Sequence, residues 1–102
     1  KQSLASVFSV IRNASVPFGL NTEEEPNISS TRWRTVVDHK NLLYFFESAV
    51  SPNTFWVDLK KIDFKTTPFQ KLDLGADQAN VYAGDATPYF KTTKAFEFLG
   101  KE

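Results

Sequence analysis

Residues 27–59 read NISSTRWRTVVDHKNLLYFFESAVSPNTFWVDL, and this stretch decides the fold. It contains three strand-like runs, Thr31–Asp38, Leu42–Glu47 and Thr54–Leu59, separated by two turn signals. In the first run Trp33, Thr35 and Val37 fall on one face, and Arg32, Arg34, Val36 and Asp38 on the other. Asp38-His39-Lys40-Asn41 is a polar turn, so a hairpin to the second run is the natural connection. The second run, Leu42-Leu43-Tyr44-Phe45-Phe46, is apolar on both faces, which predicts a central strand covered on both sides. Ser51-Pro52-Asn53 is the second turn. In the third run Phe55, Val57 and Leu59 alternate with Trp56 and Asp58. Three adjacent antiparallel strands are the economical arrangement.

Upstream, Lys1–Arg12 predicts a helix, because Leu4, Val7, Phe8 and Ile11 recur at the spacing of one helical face. Asn13 is a stop signal, and Pro17 bars continuation by removing an N–H and fixing φ. Residues 13–20 read as extended, with a turn at Gly19. Asn21–Ser30 is polar, and its three consecutive glutamates, Glu23, Glu24 and Glu25, read as a solvated loop. Asn27-Ile28-Ser29 matches a glycosylation sequon, a triplet too common to carry weight here. Downstream the periodicity fades. Lys60–Phe64 reads equally as a helical turn or a loop. Phe69–Leu74 alternates well enough for a fourth, edge strand, with lysine to discourage unwanted pairing. Gly75–Thr87 reads as loop, and Tyr89–Glu102 holds scattered aromatics without a period. The fold class is therefore α+β, an antiparallel sheet with an N-terminal helix.

The 102 residues suffice for one domain, and ten phenylalanines call for a core or a partner to cover them. Twelve basic and twelve acidic residues balance to zero formal charge, which gives no electrostatic footprint for nucleic acid. The apolar runs are far shorter than the roughly 20 residues of a membrane-spanning helix. The chain has no cysteine, so disulfides, thiolate metal sites and a cysteine nucleophile cannot come from it. It also has no methionine, and helix-like sequence begins at once after Lys1. It reads as a fragment, or as the C-terminal product of a longer chain.

Few residues here carry recognisable chemistry. His39 is the only histidine and sits in a polar turn, where a solvated residue is the plain reading; no second His or Cys completes a metal site. No cofactor-binding fingerprint is present. Arg32 and Arg34 are the best candidates. Two apart on a strand, they share a face, and a guanidinium forks to carboxylates or oxyanions. The plain alternative for both is a structural ion pair with Asp38 or Asp58. Trp33 and Trp56 read as core residues.

Three runs carry a resemblance: RNASVPFG (12–19), EPNISSTRWRTVVDHKNLLYFFES (25–48) and PNTFWVDLKKIDF (52–64). Together they resemble the C-terminal part of the choloylglycine hydrolase family, which includes bile salt hydrolases and penicillin V acylases, in the form of its Gram-negative members. The match covers about residues 10 to 75. It implies an N-terminal-nucleophile (Ntn) hydrolase fold, two antiparallel sheets between helical layers, with residues 1–102 as the C-terminal portion of that single domain. It also implies cleavage of a linear C–N amide bond in a conjugated bile salt, penicillin V or an acyl-homoserine lactone. The nucleophile would be a cysteine exposed at the mature N-terminus, with asparagines holding the oxyanion and no cofactor. One site position carries over: the family's arginine in a T-R-aromatic strand falls on Arg32, near the nucleophile. Arg34 has no such match. A bacterial, periplasmic setting follows from the Gram-negative form. The isolated chain would be inactive, and its two-sided apolar strand would be hidden by the remaining N-terminal part of the same protein or by self-association into a homo-oligomer. The competing reading is a non-enzymatic structural or binding domain whose arginines are buried ion pairs.

Overall fold

A computed structural model describes residues 1–26, 28–74 and 81–100. Helix α1 spans Gln2–Asn13, and strands β1 (Trp33–Asp38), β2 (Leu43–Ser48) and β3 (Thr54–Asp58) follow. Each boundary lies within two residues of its sequence expectation. The three strands form an antiparallel meander. The α+β architecture read from the sequence is the one observed. No helix among the described residues is long and apolar enough to cross a membrane.

The register explains the core. Val36 pairs with Phe45, and Phe45 with Trp56, so one row of side chains crosses the sheet beneath α1. Phe8 of the helix stands edge-on to Phe45, with ring centroids 6.1 Å apart, and Phe45 meets Trp56 at 5.8 Å. Leu4 and Ile11 flank this contact. Val7, expected on the same helical face, stays nearly half exposed, so the buried stripe is narrower than the apolar pattern. Burying a phenylalanine contributes about 2–3 kcal/mol, which makes Phe8 the main tie between helix and sheet.

The other sheet face is only partly covered. Phe46 stacks on Phe55 at 5.1 Å, and Tyr82 covers Phe55 at 5.6 Å. Toward β1 the face is open: Trp33 is 61% exposed, and Val37 and Tyr44 are exposed beside it. The expectation that β2 is covered on both sides therefore holds fully only under α1. Trp33 is corrected from core to surface, while Trp56 does pack against the core. The chain exposes 8476 Å², where a compact monomer of 11.6 kDa exposes about 5,800 Å². Its radius of gyration is 16.4 Å against about 13 Å for a compact domain of this length.

The C-terminal third departs from the sequence reading. Only Gln70–Lys71 of the expected edge strand is extended (β4), and it pairs with Lys91–Thr92 (β6) in a separate two-stranded sheet. The fourth position of the main sheet goes to β5, Gly84–Asp85, which runs parallel to β3. The sequence of that segment reads as loop, since a Gly-Asp pair has no alternation to detect. Polar bonds hold it instead. The Ala86 N–H donates to the Trp56 carbonyl at 2.9 Å, and the Thr87 hydroxyl accepts from the Asp58 N–H at 2.8 Å. Lys61 Nζ lies 2.8 Å from Asp85. The Lys61 bond, then those from Thr87, hold the Asp85 carboxyl down at about 2. Gly84 has φ +75°, a left-handed conformation that favours glycine. Leu59–Lys61 forms one 3-10 turn, so of the span 60–64 only Lys60 and Lys61 are helical and the rest is bend, turn or irregular. Residues 75–80 of the expected loop, and Asn27 of the sequon, lie outside the described residues.

The β1–β2 turn closes as its sequence requires. Asp38 Oδ1 accepts from the N–H groups of Lys40 and Asn41, each at 3.0 Å, and Asn41 Nδ2 donates to Oδ2 at 2.7 Å. The Asn41 side-chain bond, then its backbone bond, lower the Asp38 pKa. The loop ends at Leu42 with φ +56°, which costs a β-carbon-bearing residue about 1 kcal/mol. Leu42→Asn is therefore expected to stabilise the protein by about 0.5 kcal/mol, read as a higher urea midpoint at unchanged slope.

Candidate functional site

Arg32 immediately precedes β1. Its carbonyl accepts from the Ala49 N–H at 2.9 Å, so the ladder continues one step beyond the strand. Strand alternation puts Arg32 and Arg34 on the helix side of the sheet. Their surroundings differ sharply. Arg34 lies directly opposite Glu47 in the antiparallel register. Its Nε donates to Glu47 Oε2 at 3.1 Å. Arg12, in the last turn of α1, reaches the same carboxylate: Nη2 to Oε1 at 2.7 Å and Nε to Oε2 at 3.4 Å. One carboxylate thus bridges two guanidiniums and pins the helix end to the sheet.

Glu47 is the one buried charged residue among those described, 8% exposed. Burial is the largest single influence on its carboxyl and pushes the pKa up. The hydrogen bonds and charges of Arg12 and Arg34 together outweigh it and leave the pKa lowered. In return, the Glu47 hydrogen bond, then its charge, raise the pKa of Arg12. The ion pair foreseen for Arg34 is present, but its partner is corrected from Asp38 or Asp58 to Glu47. Asp38 is occupied in the hairpin turn, and Asp58 accepts from the Lys60 N–H at the start of the 3-10 turn. Counting antiparallel pairs back from Asp38 and Leu43 would have placed Glu47 opposite Arg34. Arg12 carried no comparable signal.

Arg32 makes no salt bridge among the described residues. Its Cζ instead sits 4.9 Å from the ring centroid of Phe18, a cation–π contact from the loop that follows α1. That loop is tied to the strand by Thr31. The Val16 N–H donates to the Thr31 hydroxyl at 3.0 Å, and the Thr31 N–H donates to the Val16 carbonyl at 3.1 Å. Between loop and sheet lies a hollow of about 240 Å³ lined by Arg12, Ser15, Val16, Pro17, Phe18, Thr31, Arg34 and Ala49. His39 is exposed at the tip of the β1–β2 hairpin, remote in sequence and register from this hollow. No group of three His, Asp or Glu side chains among the described residues is arranged to hold a metal.

Residues 1–74 match the family described as linear amide C–N hydrolases, choloylglycine hydrolase family. A penicillin V acylase of Pectobacterium atrosepticum is 61% identical to this chain over 102 residues, which cover 98% of the chain and 27% of that protein. The solved structure of a penicillin V acylase from Agrobacterium tumefaciens superposes with a TM-score of 0.82 at 58% identity, over 97% of this chain and 32% of the other. The chain thus spans about a third or less of the length of these relatives.

Proposed function

Because this chain belongs to the choloylglycine hydrolase family of linear amide C–N hydrolases, we propose that it forms the C-terminal portion of an amidase and brings Arg32 to the reaction centre. One observation carries the reading. Of the chain's three arginines, Arg12 and Arg34 line the hollow and share the Glu47 carboxylate, while Arg32 lies outside the hollow's lining and rests on a neutral ring with its charge and donors uncommitted among the described residues. A catalytic cation needs that freedom, because a carboxylate partner would cancel the field it applies to developing negative charge.

The attacking sulfur comes from outside this chain, which has no cysteine. In the proposed reaction a terminal cysteine thiolate attacks the amide carbonyl. The amine leaves with a proton, and water then hydrolyses the acyl-thioester. Arg32 acts electrostatically, stabilising the reacting sulfur or orienting a neighbour. The penicillin V side-chain amide is the first substrate to try, since both named relatives are penicillin V acylases. The open face at Trp33, Val37 and Tyr44, with surface about 2,600 Å² beyond that of a compact monomer, supports coverage by the rest of the protein, as an Ntn-hydrolase sandwich would provide.

The alternative of a purely structural role has one observation in its favour, the Glu47 cluster, and we assign that role to Arg34 and Arg12 rather than to Arg32. The test is turnover by the whole protein of penicillin V, a glycine-conjugated bile acid and an acyl-homoserine lactone, with and without Arg32→Ala. Loss of hydrolysis with unchanged thermal unfolding supports the assignment. Full activity in Arg32→Ala removes Arg32 from the mechanism.

A further inference from the structure

We propose that the hollow between the loop and the sheet is a receptor for a single carboxylate, taken by the Nη edge of Arg34 and the hydroxyl of Thr31. The proposal concerns Arg34, Arg12 and Thr31, and it is independent of where Arg32 acts. Two guanidiniums share the Glu47 carboxylate, so the cluster keeps one positive charge in excess. Arg12 and Arg34 line the hollow, whereas Glu47 does not, and no acidic side chain among the described residues joins them in its wall. The cations face the cavity and their counter-charge stands behind them.

The donors facing the hollow are in surplus. Arg34 uses only Nε on Glu47, and neither of its Nη nitrogens has an acceptor among the described residues. Its side chain is only 20% exposed, and a guanidinium that far from water normally finds partners for its whole fork. Thr31 Oγ1 accepts from the Val16 N–H, which leaves the hydroxyl hydrogen without an acceptor among the described residues. The acceptors close by are already taken. The Ile11 carbonyl accepts from the Ser15 hydroxyl at 2.8 Å, and the Arg12 carbonyl accepts from the Ser15 N–H at 3.2 Å. Surplus donors in a positive field select an oxyanion. The single excess charge suits a monoanion, and the planar fork suits a carboxylate. Val16, Phe18 and Ala49 add apolar wall, and about 240 Å³ holds a carboxylate on a short hydrocarbon stem. An Asp or Glu side chain from the rest of the protein has that chemistry, and so does a free short-chain carboxylic acid.

The test is thermal unfolding of the whole protein near neutrality in potassium propionate against potassium chloride, each at about 100 mM. If the occupant is a free acid, propionate is expected to raise Tm by about 2–4 °C. Arg34→Lys keeps a cation for Glu47 but loses the fork, and should abolish that shift. Should Arg34→Lys fold poorly, Thr31→Val against Thr31→Ser carries the same comparison: valine should diminish the shift and serine retain it. If the occupant is a side chain, wild type shows no shift, and a crystal structure of the whole protein places an Asp or Glu oxygen within hydrogen-bond distance of Arg34 Nη. Replacing that residue by alanine should then make Tm respond to propionate. Equal shifts in wild type and Arg34→Lys overturn the proposal. So does the absence of a shift together with a hollow that holds no carboxylate.

Discussion

Glu47→Ala is expected to destabilise the protein by about 3 kcal/mol, measured by chemical denaturation of the whole protein. Truncation leaves Arg34, with a side chain only 20% exposed, without its counter-charge, and it frees the end of α1 from the sheet. Removing one member of a buried ion cluster costs more than the cluster contributes in total, because the remaining charge stays desolvated. The figure sits at the low end of the usual range because the Arg12 side chain is half exposed and can turn to solvent. Glu47→Gln keeps the shape and the hydrogen-bond acceptor but not the charge, and should cost about 1.5–2 kcal/mol. The two variants also make a prediction about pH. The folded pKa of Glu47 is depressed, so its stabilisation is complete above the unfolded carboxyl value of about 4.3 and is lost as pH falls through the folded value. The stability gap between wild type and Glu47→Gln should therefore be constant near neutrality and close below about pH 4. A gap that persists unchanged in acid would mean the cluster is not charged as described.

Arg32→Ala is expected to lower kcat for amide hydrolysis by about 10²–10³, the usual effect of deleting one preorganised group aimed at developing charge. Arg32→Lys should fall between, about tenfold below wild type, since it keeps the charge and loses the planar fork. Stability should barely change in either, because Arg32 is exposed and holds no salt bridge among the described residues. Arg32 and Glu47 thus predict opposite signatures from neighbouring positions. One variant loses turnover and keeps its unfolding curve. The other loses stability and keeps turnover per folded molecule. Steady-state kinetics beside urea titrations of both separates them, and matching signatures would refute the division of labour among the arginines.

The central meander was legible because its strands are strongly patterned and its hairpin turn carries its own cap in Asp38 and Asn41. Helix α1 was legible for the same reason, through Leu4, Phe8 and Ile11. The C-terminal third was not. Gly84–Asp85 joins the main sheet through backbone and polar bonds that leave no alternation in the sequence, and the separate pairing of Gln70–Lys71 with Lys91–Thr92 has none either. At the site, Arg32 was singled out from its strand position and from the T-R-aromatic motif. Glu47 was overlooked because it ends an apolar run and reads as a strand terminus until the register is counted. Phe18 was invisible as a partner of Arg32, since a loop residue 14 positions away announces no contact. Trp33 was misjudged because large aromatics usually find cover, and here that side of the sheet is open.

The mixed sheet also carries a consequence for the order in which the protein assembles. Strands β1, β2 and β3 follow one another between residues 33 and 58, so each pairing closes only a short loop. Strand β5 joins by pairing Gly84 with Phe55, 29 positions away, and in parallel, which demands a larger closure for two residue pairs of reward. Local closures are kinetically favoured, so the three-stranded meander is the natural nucleus and the Asp85 and Thr87 linkages form on a platform already in place.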